Sequence, residues 1–339
     1  MKVLVTGGTG FVGAHTVAAA ARAGHDVRLL VRRPEQVDVS LAPLGVQVRD
    51  IVVGDALDEQ AVTRALDGCE SVVHAAGVFS FDTRRAAEMR QTNLRTTELV
   101  LRQAVAQGLD PVVHVSSTVA LTRYGGTAAL LPLGDIELPY TQSKIDSERV
   151  ARTLAAAGAP VVSAYPGGVY GPDDPYRGDQ DERLRWILLG RFPLWPSGGL
   201  HVVDVRDAAA VITATLQPGR GPRRYVVPGH HVDGALLYRT FAQLTGRRFP
   251  HLVLPGSVLG PATQLIDTLQ RRLPQRWHYP ADREGTEIIR RNTRFDVTAA
   301  GEEFGIQARP FADTIADTIR WLVRSGRVPA RYAGRLDTA

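Results

Sequence analysis

The sequence has little cysteine, little lysine and no long apolar segment. Its 339 residues include one cysteine, Cys69, which excludes an intrachain disulfide framework and is typical of a reducing cytoplasm. No apolar run approaches the roughly 20 residues that a helix needs to cross a bilayer. The segment Met1–Thr6 is typical of a strand that enters a glycine loop, and not of a signal peptide. We therefore expect a cytoplasmic protein that has no membrane partner.

The scarcity of lysine draws attention to Lys144. Lys2 and Lys144 are the two lysines among 40 basic residues, so a basic position without a special role is expected to be arginine. Lys144 follows Tyr140 by four residues, which on a helix places the phenol and the ammonium on one face. The pKa of a lysine moves on burial, and a cation near a phenol favours the phenolate. The pair predicts an acid/base site, although the same spacing also occurs by chance on helix surfaces.

The remaining charge is basic but dispersed. The net charge is +5 and the isoelectric point is about 9.6, and no nucleic-acid reading module accompanies the arginines. A basic pocket for an anionic cofactor accounts for the same excess of charge. The histidines show no metal-ligand spacing with carboxylates, so we expect neither a nucleic-acid partner nor a metal. An acidic stretch is predicted to be a solvated loop or lid: Asp173, Asp174, Asp179, Asp181 and Glu182.

Short β-rich runs alternate with helical stretches in the first half, which predicts a parallel sheet built from βαβ units. The expected fold class is α/β, a Rossmann-type doubly wound parallel sheet with a smaller, mostly helical C-terminal substrate-binding region. The predicted strands are Lys2–Thr6, Asp26–Val31, Gln47–Val53, Ser71–Ala75, Val112–Ser116, Val161–Tyr165 and Arg224–Val227. The predicted helices are Gly10–Ala23, Asp58–Asp67, Ala86–Gln107, Tyr140–Ala157, Gly234–Thr245, Pro261–Arg272 and Pro310–Ser325, and Leu200–Leu216 is expected to form a strand and a helix.

The amino-acid composition of the chain changes after Tyr165. Residues 167–199 are rich in glycine, proline and aromatic residues and show little periodicity, which indicates a segment that faces the substrate. We expect a dinucleotide-binding domain of residues 1–166 and 200–230, and a substrate-binding region of residues 167–199 and 231–330. The chain after Arg327 is expected to be loosely held, and residues 331–339 are expected to form the tail.

A glycine loop follows the first strand directly. The order is strand, Gly7-Gly-Thr9-Gly10-Phe11-Val12-Gly13, and an alanine-rich helix. Glycines in this context allow a tight turn and the close approach of a pyrophosphate, and the helix N-terminus offers N–H groups to the phosphates. The second strand ends in Arg32-Arg33, with no carboxylate before Glu35. Because arginine pairs with a 2′-phosphate, NADP(H) is the expected cofactor and NAD is less favoured.

With these motifs in order, the chain resembles an extended short-chain dehydrogenase/reductase, and within that family the dihydroflavonol-reductase-like group. The resemblance implies that Asp55 and Ala56 contact the adenine, that His74-Ala75-Ala76-Gly77 closes the fourth strand beneath the cofactor, and that Asn93 lies near cofactor and active site. It also implies that Pro166, Gly167 and Val169, within the segment Tyr165–Pro172, pass the nicotinamide.

The same resemblance implies the catalytic residues. Tyr140 and Lys144 match the acid/base pair of the family. In Val115-Ser-Ser-Thr118 the family pattern places the catalytic hydroxyl on Thr118, with Ser117 as the second choice. Many sugar-nucleotide enzymes of this branch carry an asparagine where this chain has Gly168, and often an arginine where it has Tyr165. Both departures remove polar groups and favour a less polar carbonyl substrate.

The expected function is an NADPH-dependent oxidoreductase that reduces a ketone or aldehyde of a small, largely apolar substrate, with Tyr140 as the proton donor. One alternative is a sugar-nucleotide epimerase or dehydratase that transiently oxidises its substrate with bound NAD. Another is a non-catalytic NADP-sensing regulator, although such proteins commonly lack the tyrosine and the lysine. The family also makes a homodimer possible. Predicted substrate contacts are Phe79, Phe81, Arg123, Tyr124, Trp186, Phe192 and Trp195, each of which is equally suited to packing.

Overall fold

The structure is a computed structural model that describes residues 1–78, 86–124, 127–128, 131–176, 178–270, 279 and 281–337. Its strands are β1 Lys2–Thr6, β2 Asp26–Val31, β3 Asp50–Val53, β4 Ser71–His74, β5 Val112–Val115, β6 Thr127–Ala128, β7 Val161–Tyr165, β8 Gly168–Tyr170, β9 Leu194–Pro196, β10 Gly199–Asp204, β11 Arg223–Val226, β12 His230–Asp233, β13 Leu252–Leu254 and β14 Arg294–Phe295. Its helices are α1 Phe11–Arg22, α2 Glu35–Leu41, α3 Glu59–Leu66, α4 Ala86–Ala106, α5 Pro139–Ala156, α6 Asp179–Leu188, α7 Val205–Ala214, α8 Gly234–Thr245, α9 Gly256–Gln270, α10 Arg283–Arg291, α11 Thr298–Phe304 and α12 Phe311–Arg324.

Seven parallel strands form the main sheet, in the order β3-β2-β1-β4-β5-β7-β11. Alternate residues of β1 enter opposite cores: Val3 and Val5 pack on the side of α1 and α7, and Leu4 packs on the side of α3 and α4. Burial of both faces explains why these strands are continuous apolar runs. The predicted Rossmann-type sheet is therefore confirmed. Strand order reverses between β1 and β4, and this is the crevice in which such sheets bind ligands.

Smaller sheets and helices cover the carboxyl ends of the strands. β8, β10 and β12 form one small sheet, β9 pairs with β13, and β6 pairs with β14. A second hydrophobic cluster lies among α6, α8 and α12, with Trp195, Phe241 and Ile315 fully or almost fully buried. α6, α10 and α11 have no counterpart among the predicted helices. α6 has the sequence DQDERLRWIL, in which the charged residues conceal the short apolar face.

Two boundaries differ by three residues or more from those predicted, and the C-terminal tail is held in place. α9 begins at Gly256. The predicted start was Pro261, five residues later, because proline is common in the first turn of helices. β3 is shorter than the predicted strand and begins at Asp50. In the tail, Ala333 is buried and the Arg335 backbone N–H donates to the Thr245 carbonyl at 2.9 Å. The expectation of a loosely held tail is wrong for residues 331–337.

Candidate active site

The loop between β1 and α1 passes close to the end of β4. Gly7 has a φ of 73°, and a Cβ there would lie 2.6 Å from the Ala75 carbonyl carbon and the Ala76 nitrogen. A Cβ at Gly13 would lie 2.0 Å from the Gly7 carbonyl oxygen. Gly10 precedes α1 and no side chain caps the helix, so its first N–H groups are available to a ligand. This cradle fits the diphosphate of a dinucleotide.

A cavity of about 730 Å³ extends from this loop over the carboxyl ends of the main sheet. It contains most of the residues that were predicted to bind cofactor or to act in catalysis. Lining it are Gly7, Thr9, Gly10, Phe11, Val12, Gly13, Arg32, Arg33, Asp55, Ala56, Ala75, Ala76, Gly77, Ser117, Thr118, Tyr140, Lys144, Pro166, Gly167 and Val169.

The arginine pair at the end of β2 is accessible at one end of the cavity. Both Arg32 and Arg33 are exposed, and the Arg32 side chain retains 68% of its accessible surface. Its Nη1 atom lies 3.9 Å from Oδ2 of Asp55, a distance that leaves the guanidinium available to another anion. Asp55 accepts a hydrogen bond from the Leu57 backbone N–H at 3.0 Å, which fixes the carboxylate at the turn after β3.

Two predicted cofactor residues lie behind the cavity wall. The buried His74 ring is hydrogen-bonded to the Thr6 hydroxyl at 2.8 Å through Nδ1 and to the Thr97 hydroxyl at 3.2 Å through Nε2. Burial, with a smaller contribution from Lys144, lowers the pKa of His74 to about 3, so the ring is neutral. Asn93 donates to and accepts from the Val78 backbone, at 3.0 and 2.7 Å. Both residues therefore support the backbone that lines the cavity.

Tyr140 and Lys144 lie together on α5, beside the end of β5. The Ser117 hydroxyl is within hydrogen-bond reach of the Tyr140 phenol, whose pKa it lowers, and of the Pro166 carbonyl at 3.4 Å, and its one proton can be donated to either oxygen. The backbone N–H of Thr118 donates to the same carbonyl at 2.9 Å. Of the two hydroxyl residues named from the sequence, Ser117 is thus the one bonded to the phenol.

Burial controls the acidity of both members of the pair. It raises the pKa of Tyr140, and the Glu284 carboxylate raises it further, while the Ser117 hydrogen bond lowers it by less. The net direction is opposite to the expected lowering by Lys144, and the phenol keeps its proton at neutral pH. Burial lowers the pKa of Lys144 to about 8, partly offset by Glu148. A Cβ on Gly77 would lie 3.9 Å from Lys144 Nζ, so the ammonium lies against the cofactor-binding backbone.

The rest of the cavity wall comes from elements that sequence motifs did not identify. Apolar residues of β10, α10 and β14 form one part, and polar residues around α6 form another. The apolar residues are Leu200, Ile288, Ile289 and Phe295, and the polar residues are Asp174, Gln180, Asp181 and Arg183. These positions carry no pattern that distinguishes them in the sequence, because elements distant in the chain bring them together.

The predicted substrate contacts lie elsewhere. Trp195 and Phe192 are 1% and 6% exposed within the second hydrophobic cluster, and Trp186 packs against it. Tyr124 is exposed beneath the guanidinium groups of Arg290 and Arg291, and the Arg123 backbone N–H donates to Thr293 at 3.1 Å. None of Arg123, Tyr124, Trp186, Phe192 and Trp195 lines the cavity. Phe79 and Phe81 lie outside the described residues.

The acidic stretch is not a solvated loop throughout. Asp174 is 7% exposed and accepts hydrogen bonds from the backbone N–H groups of Tyr176 and Gly178, at 2.9 and 2.7 Å. Asp181 is 1% exposed on α6. Burial raises the pKa of Asp181 to about 9, the neighbouring Asp174 carboxylate adds to this effect, and the Arg327 guanidinium opposes it. The expectation of a solvated loop is wrong for these two residues.

The sequence profile of the NAD dependent epimerase/dehydratase family matches residues 3–227, about two thirds of the chain. The chain belongs to this family. Members of the NAD dependent epimerase/dehydratase family are nicotinamide-dependent enzymes of the oxidoreductase and epimerase type, in agreement with the glycine cradle and the paired Tyr140 and Lys144. The resemblance to extended short-chain dehydrogenases/reductases that the motifs indicated is thereby confirmed.

Individual relatives within the NAD dependent epimerase/dehydratase family match almost the entire chain. Sterol demethylase protein B of Methylococcus capsulatus is 26% identical, over 97% of this chain and all of that protein. A putative dihydroflavonol 4-reductase of Synechocystis is 28% identical, over 96% of this chain and 95% of that protein. The crystal structure of gox2253 superposes with a TM-score of 0.79 at 26% identity, covering 96% of this chain and 99% of that one.

Two features are absent from the part of the chain that the structure describes. Within it, no group of three or more histidine, cysteine, aspartate or glutamate side chains is arranged to hold a metal ion. Among its helices, none combines the length and the apolar character that crossing a membrane requires.

Proposed function

We propose that the protein is an NADPH-dependent oxidoreductase that reduces the ketone or aldehyde group of a small, largely apolar substrate. The bound cofactor supplies the hydride. Tyr140 donates a proton to the developing alkoxide, and Ser117 donates a hydrogen bond to the same oxygen as charge develops on it. Lys144 places its positive charge beside the cofactor-binding backbone. Thr118, at the cavity wall, is the alternative hydroxyl donor.

The observation that carries this proposal is the hydrogen bond between Ser117 and a phenol that keeps its proton. A general acid must be protonated before the reaction, and burial with Glu284 holds the Tyr140 phenol in that state. The protonated phenol can therefore act as the acid that a carbonyl reduction needs. A catalytic base that must begin as phenolate would need the opposite balance of charges.

The character of the cavity supports an apolar substrate. Leu200, Ile288, Ile289 and Phe295 line it, and Gly168 stands where sugar-nucleotide enzymes of this branch carry an asparagine. The names of the two relatives, a sterol demethylase protein and a dihydroflavonol reductase, point to the same class of substrate. The polar group at Asp174 and Gln180 can bind a hydroxyl at the other end of such a molecule.

The choice of NADPH rests on the end of β2. Arg32 and Arg33 are exposed at the cavity, with no acidic residue at that position to bind a ribose 2′-hydroxyl. Asp55, 3.9 Å from Arg32, follows β3, and it belongs to the adenine end of the site. Two guanidinium groups provide the charge that a 2′-phosphate requires.

The experiment measures oxidation of NADPH and of NADH with a panel of apolar ketones, aldehydes and sugar nucleotides. We expect turnover of apolar carbonyl compounds with NADPH, and a loss of about 100-fold or more in the Tyr140→Phe variant. Interconversion of sugar nucleotides without net cofactor consumption would instead favour an epimerase. A Tyr140→Phe variant with every activity intact would contradict the proposal.

A further inference from the structure

Helix α5, which carries Tyr140 and Lys144, has no cap from its own sequence. The residue before it is Leu138, whose side chain cannot accept a hydrogen bond, and Pro139 is its first residue. The backbone N–H groups of Tyr140 and Thr141 lie in the first turn, where an α-helix offers them no intrahelical partner. Buried N–H groups of this kind need an acceptor from another part of the chain.

Glu284 of α10 supplies that acceptor, from 143 residues further along the chain. Its Oε1 atom accepts the Thr141 backbone N–H at 2.5 Å and the Thr141 hydroxyl at 2.6 Å. Its Oε2 atom accepts the Tyr140 backbone N–H at 3.2 Å. The side chain is buried, with the residue 7% exposed, so solvent does not compete for these bonds. Both carboxylate oxygens are thus committed to the turn that holds the proton donor.

Helix ends, hydrogen bonds and charged groups around Glu284 determine how readily its carboxyl group ionises. It lies in the first turn of α10, which Asp282 caps by accepting the Gly285 N–H at 2.5 Å, so the N-termini of two helices meet at the Glu284 carboxylate. Burial raises the pKa of Glu284, and the hydrogen bonds from Thr141 and Tyr140 lower it. The other charged groups here are Asp267 of α9 and the buried pair of Arg183 and Asp282, 3.6 Å apart.

The same helix contributes to the substrate end of the cavity. Gly285, Ile288 and Ile289 of α10 line it, directly after Glu284 in the sequence. We propose that Glu284 is a positioning residue, which fixes the first turn of α5, and with it the Tyr140 phenol, to the helix that lines the substrate cavity. The inference rests on the proposed function in one respect, namely that Tyr140 is the proton donor.

The carboxylate also acts on the phenol through its charge. A negative group near Tyr140 disfavours the phenolate. Removing the charge of Glu284 should therefore lower the pKa of Tyr140.

The test compares Glu284→Gln, Glu284→Ala and a control, Glu287→Gln. Glu287 lies on the same helix, where it pairs with Arg290 and Arg291 and does not line the cavity. Glutamine keeps one acceptor but removes the charge, so kcat should fall by less than about 10-fold and the amide protection of the first turn should be partly retained. Alanine removes both, and kcat should fall by about 10- to 100-fold while the cofactor Kd stays unchanged. Glu287→Gln should change neither quantity.

Hydrogen exchange separates this inference from the proposed function. The amides of Tyr140 and Thr141 should lose protection in Glu284→Ala and keep it in Glu287→Gln, whatever the enzyme reduces. If protection is lost but the wild type reduces no carbonyl compound, the proposed function is contradicted and the capping of α5 by Glu284 is supported. If carbonyl reduction is observed and neither kcat nor the amide protection responds to Glu284→Ala, the positioning role is overturned.

Discussion

The Ser117 hydroxyl is hydrogen-bonded to the Tyr140 phenol, and this contact joins the end of β5 to the first turn of α5. Ser117 is 6% exposed and Tyr140 is 8% exposed, so the contact is largely protected from solvent. The bond favours the phenolate, against burial and Glu284, which favour the phenol. Ser117 therefore contributes to the acidity of the proton donor as well as to the binding of a carbonyl oxygen.

This relationship predicts different results for Ser117→Ala and Thr118→Ala. Removing one hydrogen-bond donor to a developing oxyanion costs about 100- to 1000-fold in kcat, and we expect a loss of this size for Ser117→Ala. Thr118→Ala should lower kcat by less than about 10-fold, because the phenol keeps its bond to Ser117. Steady-state kinetics with an apolar ketone measure both losses. A larger loss for Thr118→Ala would assign the catalytic hydroxyl to Thr118.

The partly buried ammonium of Lys144 predicts a stabilising substitution. Its pKa is lowered from 10.5 to about 8 on folding, so between these values the unfolded chain binds more protons than the folded one. The free energy of unfolding of the wild type therefore rises with pH across this window. Below pH 8 the folded protein carries the charged lysine, and the cost of burying that charge is fully present. In urea unfolding at pH 7 without cofactor, Lys144→Met should be more stable than the wild type by about 1–2 kcal/mol. The same variant should have lost its activity.

The other lysine provides the control for this prediction. Lys2 Nζ lies 2.7 Å from Oδ2 of Asp50, on a side chain that is 27% exposed, so its charge is paired and partly hydrated. Lys2→Met should leave stability at pH 7 unchanged or lower it by up to about 1 kcal/mol. If Lys144→Met destabilises the protein at pH 7, or if its advantage does not shrink between pH 8 and 10.5, the burial of the ammonium does not cost stability as argued.

The sequence was sufficient for the main sheet and for the glycine loop that follows its first strand. Strands such as β1 and β7 are apolar throughout because helices cover both faces, so their bounds match the prediction. The glycine loop could also be recognised, because its glycines are required by contacts within one βα turn. Both patterns depend on residues that are close together in the sequence, so a short stretch of sequence is enough to recognise them.

Contacts between distant segments could not be predicted in this way. Glu284 touches Thr141 across 143 residues, and nothing around either position indicates the pairing. The aromatic residues of 186–195 suggested a substrate pocket, but Phe192 and Trp195 fill a hydrophobic cluster with α8 and α12. An aromatic side chain suits either role, and the choice depends on which helices fold over it.

The exposed guanidinium of Arg32 predicts the cofactor preference. Arg32→Ala should raise the KM for NADPH by about 10- to 100-fold, because a charged hydrogen bond to the 2′-phosphate is lost. The KM for NADH, which has no such phosphate, should change little. An exposed arginine away from the cavity, Arg220, provides the control, and Arg220→Ala should alter neither constant. A wild type that prefers NADH would contradict the assignment of Arg32 to the 2′-phosphate.

The positions of Trp195 and Ile288 predict which substitution changes substrate choice. Trp195 is 1% exposed and packs edge-on against Phe192 and Tyr238, with ring centroids 6.3 Å apart in each pair. Trp195→Phe should lower the free energy of unfolding by about 1–3 kcal/mol and leave the relative kcat/KM of different ketones unchanged. Ile288 lines the cavity, so Ile288→Ala should change the ratio of kcat/KM between bulky and small ketones by about 10-fold or more. Urea unfolding and the ketone panel measure the two effects separately. If Trp195→Phe changes the selectivity among ketones without lowering stability, the aromatic residues contact the substrate as the sequence predicted.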